Sequence, residues 1–103
     1  MARPAPLTTP DGRYLIVHDR LWRCADPSIP WDIRQQFVKD LMKARRAVDL
    51  ATTAAEKKAA RQAVDAARHA LGERGPAWWM DGDPDLSGSR VQDSPYADWY
   101  RLR

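Results

Sequence analysis

WDIRQQFVKDLMKARRAVDLATTAAEKKAARQAVDAARHALG, residues 31–72, decides the fold. Up to Gly72 it contains neither glycine nor proline, although the 103-residue chain holds five glycines and eight prolines. A stretch this long without either helix breaker predicts a helical block. Within it Ile33, Phe37, Leu41, Ala44, Val48 and Ala51 recur at three- and four-residue spacing, with Val38 and Met42 alongside. Arg34, Lys39, Lys43 and Arg46 flank this stripe, so it is expected to face a core.

Thr52-Thr53 is the expected break, because Thr53 followed three residues later by Glu56 fits a capping box. The second stripe, Ala60, Val64, Ala67 and Leu71 with Ala63 and Ala70, is small enough to let a facing helix approach closely. Gly72 suits the stop. The pattern therefore predicts an antiparallel helical hairpin of about 30–51 and 54–72, with Pro30 at the first helical position. One unbroken helix through Thr53 is the rival, since threonine costs only tenths of a kcal/mol in a helix.

Upstream, Arg13-Tyr-Leu-Ile-Val17 and Arg20-Leu-Trp-Arg-Cys24 are aromatic and β-branched runs joined by His18-Asp19. They predict a β-hairpin pairing Val17 with Arg20, Ile16 with Leu21, Leu15 with Trp22 and Tyr14 with Arg23. Tyr14, Ile16 and Leu21 share one face; Leu15, Val17 and Trp22 share the other. Both faces are apolar and an isolated ribbon is marginal in water, so covers are needed, and Trp22 is expected in the core. Downstream, Glu73 to Arg90 is irregular by its glycines and prolines yet carries Trp78 and Trp79, so it should wrap back over the scaffold. Ser94-Pro95 then opens a short terminal helix bearing Tyr96, Trp99 and Tyr100, with Ser94 as its N-cap. The fold class is α+β: β-hairpin, helical hairpin and a Trp-rich tail. Residues 1–10, proline-spaced and small, read as a disordered tail, and 11–103 as a single small domain.

Charge is uneven. Net charge is +3, and residues 31–73 hold nine basic against six acidic groups. No apolar run approaches the ~20 residues that span a bilayer, and the start lacks a signal-peptide core. Cys24 is the only cysteine, which excludes an internal disulfide. These features point to a soluble cytoplasmic protein without membrane association.

Chemistry-bearing patterns are weak. Asp81-Gly-Asp-Pro-Asp85 spaces carboxylates like an EF-hand opening, but Leu86 and Gln92 stand where that loop requires glycine and glutamate. Capped turns are the expected role. His18 and His69 are the only histidines, and no nucleophile elbow or phosphate-binding glycine loop is present. No catalytic, metal or cofactor residue is assigned, and a non-enzyme is expected. Two candidate surfaces remain. Trp78, Trp79 and Trp99, in a chain of five tryptophans, are candidates for docking a protein partner or a second copy. Arg45, Arg46, Lys57, Lys58 and Arg61 would cluster at the helical-hairpin tip and are candidates for nucleic-acid contact, diluted by Asp49 and Glu56.

Taken together, Asp11-Gly-Arg-Tyr-Leu-Ile-Val17, Arg20-Leu-Trp-Arg23, Ala70-Leu-Gly-Glu-Arg-Gly-Pro76 with Trp78-Trp79, Asp81-Gly-Asp-Pro-Asp85 and Ser94-Pro-Tyr-Ala-Asp-Trp-Tyr100 resemble a family of small, uncharacterised bacterial proteins. The resemblance covers nearly everything beyond the proline-rich start. Some members carry a label relating them to a biphenyl-type ring dioxygenase. An enzyme of that kind is expected to hold iron with two histidines and a carboxylate, and no residue here takes a catalytic role from the label. A dioxygenase-related enzyme or accessory protein therefore ranks third, behind a protein-binding module and nucleic-acid contact.

Overall fold

The computed structural model describes residues 6–103. Its order is β1 (Leu7–Thr8), β2 (Tyr14–Val17), β3 (Arg20–Arg23), α1 (Trp31–Leu50), α2 (Ala54–Ala70), a 3-10 turn (Val91–Asp93) and α3 (Ala97–Leu102). The class is α+β. Length and composition point to one domain over 11–103; the contacts gather into two compact units. One comprises the residues through Cys24 with Trp79–Arg103, the other Ala25–Trp78.

In the first unit β2 and β3 pair in the register expected from the sequence, Tyr14 with Arg23 through Val17 with Arg20. His18 and Asp19 both take positive φ, 53° and 63°, as a two-residue turn of primed type requires. β1 adds a third antiparallel strand, Leu7 opposite Ile16 and Thr8 opposite Leu15. The expectation of a disordered tail over 1–10 is corrected for this part: Leu7 and Thr8 pair in the sheet, and Thr9 is buried. Pro6 and Pro10 bound this short edge strand instead of preventing it, a position proline tolerates. The remainder of that expectation, residues 1–5, lies outside the described residues.

The outer edge of β3 is not open. Leu21 N–H donates to Ser89 O at 2.9 Å, Gly88 N–H to Leu21 O at 2.7 Å and Val91 N–H to Asp19 O at 2.8 Å. Segment 88–91 thus occupies the edge that would otherwise template another strand. Tyr14, Ile16, Leu21, Trp79 and Val91 form the apolar interior here. The other expectation, that Trp22 is a core residue, is corrected: Trp22 is 45% exposed and Val17 38%. Strand alternation puts these two opposite Tyr14, Ile16 and Leu21, and only the latter face is covered.

In the second unit α1 and α2 form the helical hairpin, with an extended break at Ala51 (ψ 131°) and Thr53 (φ −119°, ψ 159°). Thr53 Oγ1 accepts from Glu56 N–H at 3.0 Å, as a capping box requires. The carboxylate returns one residue further than the motif does, facing Thr52 N–H and Oγ1 at 3.5 Å. Leu41, Ala67 and Leu71 make the buried centre, with Phe37, Val38, Val64 and Ala25 packed around it. Ile33, expected in that stripe, is 45% exposed. At ~1.5 Å rise per residue, α1 is about one turn longer than α2, so its beginning outruns its partner.

α2 ends in a Schellman motif: Glu73 N–H donates to Arg68 O and Gly72 N–H to His69 O, both at 3.0 Å. Asp26 N–H then donates to Leu71 O at 2.8 Å, tying the connector before α1 to the end of α2. At the C-terminus, Ser94 does not begin the helix. Its Oγ accepts from Tyr96 N–H at 3.2 Å and its carbonyl from Ala97 N–H at 3.1 Å, capping a turn that precedes α3.

Candidate functional site

The inner face of the sheet is closed by a strap that runs from Trp79 to Leu86. Tyr14 meets Trp79 and Tyr96 edge-on, at centroid distances of 5.6 and 5.8 Å, and its hydroxyl accepts from Leu86 N–H at 2.9 Å. Arg13 stacks over the Trp79 ring at 4.6 Å, pairs with Asp81, and donates to Asp83 at 2.9 Å. Trp79 Nε1–H donates to Asp83 O at 2.8 Å. Arg23, its side chain 0% exposed, donates to Asp85 at 2.8 Å. The alternate carboxylates of 81–85 therefore meet Arg13 and Arg23, and those of Asp81 and Asp85 also close turns by accepting from Asp83 N–H and Ser87 N–H. Turn capping was expected from the sequence; the arginine pairing was not. Its signal was present as two arginines flanking the hairpin and three aspartates at every second position.

Asp11 lies beside this strap, its carboxylate accepting from Tyr96 Oη–H at 2.5 Å, Thr9 Oγ1–H at 2.7 Å and Arg13 N–H at 3.1 Å. Partial burial pushes its carboxyl up, but these bonds outweigh it and hold the group below its ordinary 3.8. Tyr96 moves the other way, raised by burial and then by the Asp11 carboxylate. Asp11 thus contributes stability fully above pH ~4, lost as pH falls through its folded value; Tyr96 contributes below pH ~10, lost as pH rises through its own. Urea melts across pH should show both limbs, and Asp11→Asn should flatten the acid one. An unchanged acid limb in Asp11→Asn would remove this pair from the account.

The tryptophans proposed as a partner surface differ in exposure. Trp79 is 9% exposed and belongs to the interior, while Trp78 and Trp99 are half-buried. Trp79 is thus corrected as a docking candidate: its ring is committed to Tyr14 and Arg13. The exposed aromatic on the sheet is Trp22, with Val17 and half-buried Leu15 on the same face.

The basic candidates on the helical hairpin divide. Lys57, Lys58 and Arg61 share the outer side of α2 with Ala54, Gln62 and Asp65. Arg45 and Arg61 instead border an open groove of about 510 Å³ with Val48, Asp49, Val64, Arg68 and Arg74. Arg46 borders neither. Two turns separate Arg61 from Arg68, so they lie on one side of α2 with Val64 between them. The turn at Gly72 returns Arg74 to the same place. Arg74 donates to Asp65 at 2.6 Å, which holds that carboxyl below its ordinary value. Arg68 Nε is buried and has no hydrogen-bond partner among the described residues. Burial, then the cations of Arg74 and Arg45, lower the Arg68 guanidinium, opposed by Glu73 and Asp65. A buried donor left unpaired costs about 1 to 3 kcal/mol. Arg68 and Arg74 lie outside the cluster expected from the sequence, bordering the groove with Arg61.

His18 sits in the β2–β3 turn, and His69 Nδ1 faces Asp65 O at 2.9 Å. Among the described residues no three His, Cys, Asp or Glu side chains converge as metal ligands, and no described helix is long and apolar enough to cross a membrane. Compared with known proteins, the chain matches no family model, curated protein or solved structure.

Proposed function

We propose that this chain is a small, cytoplasmic, non-enzymatic module that binds a protein partner through the outer face of its three-stranded sheet. The observation that carries this reading is Trp22, 45% exposed beside Val17 at 38% in a strand whose opposite face is fully packed. An indole held on a rigid strand offers a large apolar contact at little entropic expense, which is why tryptophan dominates interface energetics. Recognition by strand addition along β3 is disfavoured, since segment 88–91 already occupies that edge.

Affinity capture from the native cell tests the reading, with Trp22→Ala beside the unaltered protein. Because nearly half of Trp22 is already in water, its truncation should cost only about 1 kcal/mol of stability. Capture of the partner should nevertheless be lost. Retention of the same partners by a folded Trp22→Ala protein would sink the proposal. Nucleic-acid contact through Arg45, Arg46, Lys57, Lys58 and Arg61 is the second reading. It is the weaker one because these five do not share a single surface.

A further inference from the structure

We infer that the groove of α1 and α2 bordered by Arg45, Arg61, Arg68 and Arg74 is a binding site for a small phosphate-type anion, such as free pyrophosphate or a phosphomonoester. Three observations converge on it. The groove, about 510 Å³, is large enough for such a group, and Val64 lies between Arg61 and Arg68 along its wall. Among the described residues, Arg45, Arg61 and Arg68 form no ion pair within 4.0 Å, while Arg74 is already committed to Asp65. Asp49 is the one carboxylate bordering the groove, so three unpaired guanidinium groups face a single negative charge. The arginines leave the groove with a surplus of positive charge, which suits a compact anion.

Arg68 gives the third reason. Packed on α2 with its Nε buried and unpartnered, it lies close enough to Arg45 and Arg74 to be repelled by both. Solvated surface arginines ordinarily spread apart; here the helix spacing and the Gly72 turn hold them together. A bound phosphate-type anion would reverse the sign of that mutual interaction, and guanidinium forks suit phosphate oxygens geometrically. Asp49, and Asp65 and Glu73 near Arg68, set a limit. They oppose a long polyanion lying across the region more than a compact group seated among the arginines. Nucleic acid is accordingly the disfavoured occupant. This site lies on the helices and does not depend on the proposed docking face of the sheet.

The test is a titration of the intact protein with inorganic pyrophosphate at physiological ionic strength. Arginine Nε–H resonances and isothermal calorimetry serve as readouts. The Arg68 and Arg45 signals should move saturably while that of Arg34, at the other end of α1, stays still. Arg68→Gln should weaken binding about tenfold or more, and Arg68→Lys should recover it only in part, because charge returns without the fork. Arg34→Gln should bind like the unaltered protein. Three results would each overturn the inference. One is the absence of saturable binding at millimolar pyrophosphate; another is equal binding by folded Arg68→Gln. The third is movement of these resonances by a short oligonucleotide but not by pyrophosphate.

Discussion

Tyr14→Ala should be the most destabilising single truncation in the sheet unit, costing about 4 to 6 kcal/mol. Removing a fully buried large aromatic costs about 3 to 5 kcal/mol, and the lost acceptor strands the Leu86 N–H for about 1 kcal/mol more. Two edge-on ring contacts, to Trp79 and Tyr96, disappear with it. Against the 5 to 15 kcal/mol that typical domains possess, this leaves little folded protein. Tyr14→Phe separates the contributions: it keeps the ring contacts and should lose only about 1 kcal/mol, that of the stranded Leu86 N–H. Denaturant melts followed by near-ultraviolet dichroism would measure both. A Tyr14→Ala loss under about 2 kcal/mol would mean that the strap is held chiefly by its arginine–aspartate pairs.

Gly72→Ala should cost about 2 to 4 kcal/mol, the largest effect of adding one methyl group. Gly72 has φ of +81°, which alone costs an alanine about 1 to 2 kcal/mol. The added Cβ would also stand 2.9 Å from Asp26 Cβ and 3.3 Å from Asp26 N, so the backbone tie between Asp26 and Leu71 has to shift. Gly82→Ala is the control. It shares the positive φ, at +83°, but has nothing within 4 Å of the new methyl, so it should lose only the backbone part. Equal losses in the two variants would show that the Asp26 contact is soft.

Much of this architecture was legible in the residues. The strand register followed from a two-residue connection between alternating runs, and the helical break from the Thr53 and Glu56 spacing, both local signals. Long-range partners were not legible. Arg13 and Arg23 find their aspartates some sixty to seventy residues away, and no periodicity encodes that pairing. Trp22 shows the limit most clearly. Its alternation with Tyr14, Ile16 and Leu21 was evident, but both faces of the hairpin are apolar. Which one is covered depends on where segment 79–91 returns. The helices illustrate the same division: Leu41 and Val64 stand in the two apolar stripes read from spacing, and Val64 packs against the cluster that holds Leu41. Arg68 carries no signal in the sequence, since burial of a single Nε leaves no mark in composition.

The docking face itself can be observed with one labelled sample. With 5-fluorotryptophan incorporated, each of the five tryptophans contributes its own fluorine resonance, assigned by single substitutions. On addition of the partner captured by the unaltered protein, the Trp22 resonance should shift or broaden, and that of interior Trp79 should hold its position. A partner that binds tightly while the Trp22 resonance stays unmoved would contradict the assignment of the sheet's outer face as the binding surface.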